Sequence, residues 1–176
     1  FEAQAKRFGA TTVDKNITKV DFSSRPFLLT TEDGEVISAQ TVIIATGANA
    51  KLLDLPKEKE LMSSGAGVSA CATCDGAFYK DVDVAVVGGG DTAMEEALFL
   101  TRHAKTVTII HRREDFRASR IMVERAQKNP KIKWQLNKVV DELLVEPKGP
   151  RKLDSLTGLT LKDTNTGNIS KINVDG

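Results

Sequence analysis

Val84-Ala85-Val86-Val87-Gly88-Gly89-Gly90-Asp91-Thr92-Ala93 is the stretch whose reading decides the fold. Its first four residues are apolar and mostly β-branched, the composition of a short strand buried in a parallel sheet. They enter G-x-G-x-x-A, in which each small residue has its own duty. Gly88 allows the tight turn, Gly90 lets backbone N–H groups approach a pyrophosphate, and Ala93 lets the next helix pack closely on the strand. The competing reading is a plain strand-to-helix turn, and the residues on either side weigh against it.

Downstream, Ala93, Ala97 and Leu100, with Met94 and Leu98, recur at spacings of three and four, so a helix with one face on a sheet is expected over residues 92–104. Val107-Thr108-Ile109-Ile110 reads as the next strand, and it delivers the chain to His111-Arg112-Arg113-Glu114-Asp115-Phe116-Arg117. Proteins that bind NAD carry an acidic residue about 20 positions after the glycines, where it meets the ribose 2′-hydroxyl. Here the place holds His111 and Arg112. Guanidinium groups grip a 2′-phosphate that a carboxylate would repel, so the pattern points to NADP. Taken alone, Arg113, Arg117 and Arg120 read better as a solvated helix face, and only the glycine fingerprint ahead of them tips the reading to an anion site.

Upstream lies Cys71-Ala72-Thr73-Cys74-Asp75-Gly76. The C-x-x-C spacing lets two thiols close a small disulfide loop, and a neighbouring carboxyl is placed to pass protons as thiolates form and leave. A structural disulfide and half of a zinc site are the rival readings. Zinc needs further ligands, and the chain has no other cysteine and only His103 and His111. No metal site is expected.

Three runs together resemble the low-molecular-weight thioredoxin reductases: residues 68–79 around the cysteines, residues 88–97 around the glycines, and His111-Arg112-Arg113 to Phe116-Arg117. The resemblance extends over essentially all 176 residues, which match only the middle of a family member. It implies a Rossmann-like, three-layer FAD/NAD(P)-binding α/β fold with a β-meander, in two domains of which the first is only partly present. Residues 1–66 would belong to the FAD-binding domain and residues 67–176 to the NADPH-binding domain. The implied activity is thioredoxin-disulfide reduction, with electrons passing from NADPH through FAD to the Cys71–Cys74 disulfide and on to thioredoxin. Cys74 would be the thiol nearer the flavin, Cys71 the one that attacks the partner, and Asp75 the proton donor. Gly88, Gly89, Gly90, Asp91 and Thr92 would hold the pyrophosphate region. His111, Arg112, Arg113 and Arg117 would hold the 2′-phosphate side, and Thr46 and Gly47 would pass beside FAD. A cytoplasmic homodimer is implied for the full enzyme, as is a rotation of the domains about the segments near Gly67 and after Asp175. Activity of this fragment alone does not follow. An NADPH-binding module without catalysis and a peroxiredoxin-reducing flavoprotein are the alternatives.

Phe1, Ala5 and Phe8 suggest the end of a helix stopped at Gly9. Residues 11–20 are extended in pattern, and Phe27-Leu28-Leu29-Thr30-Thr31 reads as a strand turning at Asp33-Gly34 into its partner. Val42-Ile43-Ile44-Ala45-Thr46-Gly47 reads as a buried strand with a tight exit. Residues 51–67, with Pro56 and the run Lys57-Glu58-Lys59-Glu60, read as a polar linker or hinge. Ala118, Ile121, Met122 and Ala126 form a second helical stripe, stopped at Asn129-Pro130; Ile132-Lys133-Trp134-Gln135-Leu136 is the next strand, its Trp134 a packing residue. Residues 156–163 and 168–174 flank a hairpin turn at Thr164-Asn165-Thr166-Gly167.

With 40% hydrophobic and 28% charged residues, the composition is that of an α/β chain with enough length for one core and part of another. A net charge of +1 gives no overall pull towards nucleic acid, and no apolar run is long enough to span a membrane. Both cysteines sit in one C-x-x-C, which suits a reducing compartment.

Overall fold

The computed structural model describes residues 1–148 and 153–176, which divide into two compact units, Phe1–Asn49 and Ala50–Gly176. The first begins with helix α1 (Glu2–Arg7), which ends ahead of Gly9 at φ +87°. Three antiparallel strands come next in the order β1 (Ile17–Asp21), β2 (Phe27–Thr31), β3 (Val36–Ala39). The turn joining β2 to β3 is the one expected at Asp33-Gly34: Gly34 takes φ +87° and donates its N–H to the Thr31 carbonyl at 3.1 Å. Residues 42–47, expected as a buried strand, form none, and Ile43 and Ile44 are 92% and 71% exposed. An apolar run becomes a strand only when another strand accepts its backbone hydrogen bonds, and none of the described strands pairs with this one.

In the second unit, residues 50–66 pack against the later elements of the same unit. Helix α2 (Glu58–Ser64) forms inside the charged run, and its Leu61, 1% exposed, joins a core with Ile110, Leu156 and Leu159. The Glu58 carboxylate is buried because it accepts the N–H groups of Leu53 at 2.9 Å and Leu55 at 3.3 Å, which fixes the bend before the helix. The charges thus cover a short amphipathic helix, not a solvated linker.

The order then runs α3 (Ala72–Asp75), a 3₁₀ turn (Gly76–Tyr79), β4 (Asp83–Val87), α4 (Asp91–Leu100), β5 (Thr106–His111), α5 (Arg120–Gln127), β6 (Ile132–Leu136), β7 (Lys138–Lys148), β8 (Leu153–Asp163) and β9 (Ile169–Ile172). Strands β4, β5 and β6 form a parallel sheet with Val84 opposite Val107 and Val107 opposite Ile132. Alternation of side chains divides the interior into two cores. Val84, Val86, Val107, Ile109 and Ile132 pack with Ala93, Met94, Ala97 and Leu100 of α4 and Ala126 of α5. Ala85 and Ile110 face the other way, onto Leu156, Leu159 and Leu161 of the antiparallel β7-β8-β9 meander. Helices, parallel sheet and meander make three layers, the architecture expected.

Two details depart from the sequence reading. Ile121 of α5 is 58% exposed, and the helix instead packs through Met122, Val123 and Ala126. Strand β7, eleven residues long, went unrecognised in the sequence. At the end of the unit, Asp175 donates its N–H to Asp83 and Ala85 donates to the Gly176 carbonyl, both at 2.8 Å, so the chain finishes alongside β4. No helix among the described residues is long and apolar enough to cross a membrane.

Candidate nucleotide and disulfide site

The glycine loop adopts the geometry its sequence demands. Gly88 has φ +151°, and a Cβ there would lie 2.9 Å from the Cβ of Ala93, so both must be small for α4 to start this close to β4. At Gly89 a side chain would collide with the His111 ring, whereas a Cβ at Gly90 would meet nothing within 4 Å. Gly90 caps α4 in extended conformation, and the first helical bond runs from Met94 N–H to the Gly90 carbonyl at 3.2 Å. The N–H groups of the preceding turn therefore have no carbonyl of their own helix to bond, and they open beside the uncrowded face of Gly90. Such an arrangement can accept an anion. Asp91 is otherwise occupied: its Oδ1 accepts the Ser119 N–H at 2.8 Å, a bond that holds its carboxyl below the ordinary range and ties α4 to the start of α5.

Residues 111–119 fold back over this loop. Gly89 accepts the N–H groups of Arg117 at 2.8 Å and Ala118 at 3.1 Å. The His111 ring stacks on Phe116 with centroids 5.3 Å apart, and Phe116 packs in turn on Trp134 at 5.3 Å. His111 Nε2 lies 3.2 Å from the Asp115 carbonyl. The imidazole is thus engaged in shaping the loop. By contrast Arg112, Arg113 and Arg117 are exposed, and among the described residues no ion pair joins their guanidinium groups to a carboxylate. Arg120 differs, since its Nε pairs with Glu124 at 2.8 Å on the outside of α5. Of the arginines in this stretch, the first three keep their charge free for an anion. The sequence reading missed two residues beneath the loop, Asn137 and Thr164. Asn137 donates from Nδ2 to Glu114 Oε1 at 2.9 Å, and Thr164 Oγ1 lies 3.3 Å from the Arg112 carbonyl. Nothing in their local pattern marks them, because both act across long sequence separations.

Cys71 and Cys74 are joined in a disulfide at the start of α3, with Cα atoms 5.3 Å apart. Cys71 caps the helix: its Sγ accepts the Cys74 N–H at 3.3 Å and lies 3.4 Å from Thr73 Oγ1. Cys74 is exposed and Cys71 half-buried. The sequence reading also passed over Ser69, which donates to Asp75 Oδ2 at 2.6 Å while accepting the Cys71 N–H at 3.0 Å. One hydroxyl therefore joins the carboxyl of Asp75 to the backbone of the disulfide. Burial pushes the Tyr79 phenol up, and the charge of Asp75 adds to the effect. A cavity of about 380 Å³ reaches residues beside both motifs, Ser69, Ala70 and Ala72 near the disulfide and Thr92 and Glu96 on α4. The Glu96 carboxylate spans the gap, accepting the Ala72 N–H at 3.5 Å.

Thr46 and Gly47 belong to the other unit, where they are exposed and outside any strand; a Cβ at Gly47 would meet nothing within 4 Å. They offer accessible backbone but no side-chain cradle.

A parallel sheet with a glycine loop, backed by a meander and carrying a disulfide, defines an α/β domain of the FAD/NAD(P)-binding type. Residues 3–176 match the pyridine nucleotide-disulphide oxidoreductase family, and the chain belongs to it. Its relatives include a thioredoxin reductase of Rickettsia felis, 47% identical over 98% of this chain and 54% of that protein. Another is a thioredoxin reductase of Streptomyces clavuligerus, 48% identical over 100% of this chain and 52% of that protein. Among solved structures, the thioredoxin reductase from Giardia duodenalis superposes with a TM-score of 0.79 at 38% identity, covering 99% of this chain and 54% of the other. The Lactococcus lactis thioredoxin reductase in its FR conformation gives 0.71 at 36% identity over 97% and 54%. The chain thus spans about half the length of the relatives it matches.

Proposed function

We propose that this chain is the nucleotide-binding and disulfide-bearing portion of a thioredoxin reductase that uses NADPH and FAD. The observation that carries the reading is the Cys71–Cys74 disulfide on α3, in one unit with the glycine loop and the exposed Arg112, Arg113 and Arg117. Bound NADPH and FAD supply the hydride and two-electron chemistry. The chain's residues do the rest. Backbone N–H groups from Gly90 to Thr92 bind the pyrophosphate, and the three arginines bind the 2′-phosphate.

Two electrons and two protons convert the Cys71–Cys74 disulfide into a dithiol, with Asp75 carrying a proton to or from the sulfur and Ser69 orienting its carboxyl. The Cys74 N–H and the Thr73 hydroxyl favour a thiolate at Cys71. That thiolate attacks the disulfide of thioredoxin, forming a mixed disulfide and releasing one thioredoxin thiolate. Cys74 then attacks the Cys71 sulfur of the mixed disulfide, which closes the Cys71–Cys74 ring and displaces the second thioredoxin thiolate. Thr46 and Gly47 line the flavin in this scheme.

The domain division expected near Gly67 belongs to the same proposal, although the compact units divide after Asn49 and residues 50–66 pack within the second. Gly67 has φ +107°, and a Cβ there would meet Leu156 and the Asp175 carbonyl, so two chain segments pass each other where only glycine fits. A pivot through these neighbouring segments, about which disulfide and nicotinamide take turns at one flavin, is part of that proposal. A homodimer in a reducing compartment such as the cytoplasm completes the reading.

The test monitors Trp134 fluorescence while the chain is titrated with NADPH and NADH, using wild type and the Arg112→Ala/Arg117→Ala variant. A preference for NADPH of about tenfold or more, lost in the variant, is the expected result. Equal affinities in wild type overturn the NADPH assignment. In the full-length enzyme, Cys71→Ser and Cys74→Ser must each abolish thioredoxin reduction; turnover surviving either change overturns the disulfide relay.

A further inference from the structure

The arginine loop contains its own antagonist. Glu114 lies between Arg113 and Asp115 on the turn that carries Arg112, Arg113 and Arg117, and it is exposed. A free carboxylate there would pair with a guanidinium or repel a 2′-phosphate. Its hydrogen-bond partner lies elsewhere, in the linkage of β6 to β7. Asn137 donates from Nδ2 to Glu114 Oε1 at 2.9 Å. No ion pair joins Glu114 to any of the three arginines among the described residues.

Asn137 is built for this reach. Its φ is +54°, a left-handed conformation that asparagine adopts more readily than most residues. Its carbonyl accepts the Thr164 N–H at 2.8 Å, and Thr164 Oγ1 lies 3.2 Å from that carbonyl and 3.3 Å from that of Arg112. The tip of the β8–β9 hairpin is thereby fastened both to Asn137 and to the arginine loop. The asparagine is anchored by its backbone, which leaves its amide directed at the one carboxylate.

We propose that Asn137 is a specificity-determining positioning residue: by holding the Glu114 carboxylate, it keeps an acidic group out of the 2′-phosphate site and so maintains discrimination for the phosphorylated nucleotide. The inference rests on the reading of Arg112, Arg113 and Arg117 as that site. It adds a requirement that the arginines alone do not satisfy, namely that a neighbouring acid be restrained.

Calorimetric titration of the chain with adenosine 2′,5′-bisphosphate and with 5′-AMP tests both levels. Wild type binds the bisphosphate more tightly. Asn137→Gly, which accepts the left-handed backbone, weakens bisphosphate binding by about three- to tenfold and leaves 5′-AMP unchanged. Asn137→Asp, a second variant that tolerates the same backbone, does the same by repelling Glu114. Adding Glu114→Gln to Asn137→Gly restores the ratio of affinities to within about twofold, a rescue that a merely structural role for Asn137 does not predict. An unchanged ratio in both single variants, or a loss that Glu114→Gln fails to repair, overturns the proposal. Arg112→Ala/Arg117→Ala separates the two levels. If wild type discriminates and this variant does not, the site stands whatever Asn137 does; if wild type does not discriminate, site and inference fall together.

Discussion

Two stretches of this chain look alike on paper and differ in the folded protein. Val84-Ala85-Val86-Val87-Gly88 and Val42-Ile43-Ile44-Ala45-Thr46-Gly47 are both apolar, β-branched runs ending in glycine. The first is strand β4, with Val84 2% and Val86 8% exposed; the second forms no strand, and Ile43 and Ile44 face solvent. What separates them is the neighbour. Strand β4 pairs with β5 over five consecutive residues and is covered by α4 on one side and the meander on the other. The run at residues 42–47 finds no such partner among the described strands. Strand propensity is a readiness to fit a paired, half-buried surface, and without that surface it specifies nothing.

Truncation of matched isoleucines puts the contrast to its sharpest test. Ile109 is fully buried in the helix-side core, so Ile109→Ala costs about 3–4 kcal/mol of lost transfer energy and cavity. Ile43→Ala, at an exposed site, changes stability by less than about 0.5 kcal/mol. Urea denaturation measures both. A cost above about 1 kcal/mol at Ile43 would show that the run packs in solution and would break the comparison.

The two glycines that close these runs give a smaller difference. Gly88→Ala brings a Cβ within 2.9 Å of the Ala93 Cβ at φ +151°, so the start of α4 must shift. The expected loss is about 2 kcal/mol, together with weaker NADPH binding as α4 is pushed off the loop. Gly47→Ala meets no neighbour and bears only the left-handed backbone strain, about 1 kcal/mol. Equal losses at the two positions would mean that backbone conformation, not the approach of α4, makes Gly88 necessary.

How far the sequence could be read depends on the same distinction. The β4-α4-β5 unit was legible because small residues at fixed offsets answer to local sterics, and β6 because its neighbours are regular. Strand β7 was not, since its register slips between Val140 and Glu142 and again between Leu144 and Val145. Each irregularity breaks the alternation on which a strand is recognised, so Val139-Val140 and Leu143-Leu144-Val145 show no steady period. Helix α2 was hidden for another reason: only Leu61 of its seven residues is a buried apolar one, too few for a periodic stripe. At the site, the cysteines, glycines and arginines announce themselves by residue type. Ser69, Asn137 and Thr164 do not, because their contribution is a hydrogen bond to a group that is itself defined only after folding.

The turns of the two units extend the comparison to charge, with the smallest effects. Asp163, before the β8–β9 turn, accepts Lys138 Nζ at 2.7 Å and the N–H groups of Asn165 and Thr166, each at 2.9 Å; its side chain is 18% exposed. Asp33, in the β2–β3 turn, pairs with Lys15 at 2.7 Å but is 53% exposed. Hydrogen bonding by the lysine lowers both carboxyls, that of Asp163 well below the carboxylate range and that of Asp33 to about 2. A carboxyl lowered in the native state stabilises the fold at every pH above its unfolded value, and the contribution is lost as pH falls through the native one. Asp163→Asn therefore lowers the melting temperature at neutral pH by a few degrees, read from Trp134. The gap to wild type narrows below about pH 4. Asp33→Asn, screened by water, moves the far-UV transition by less than about a degree. A gap at Asp163 that persists unchanged at pH 2 would assign its role to hydrogen-bond geometry alone and remove charge from the account of that turn.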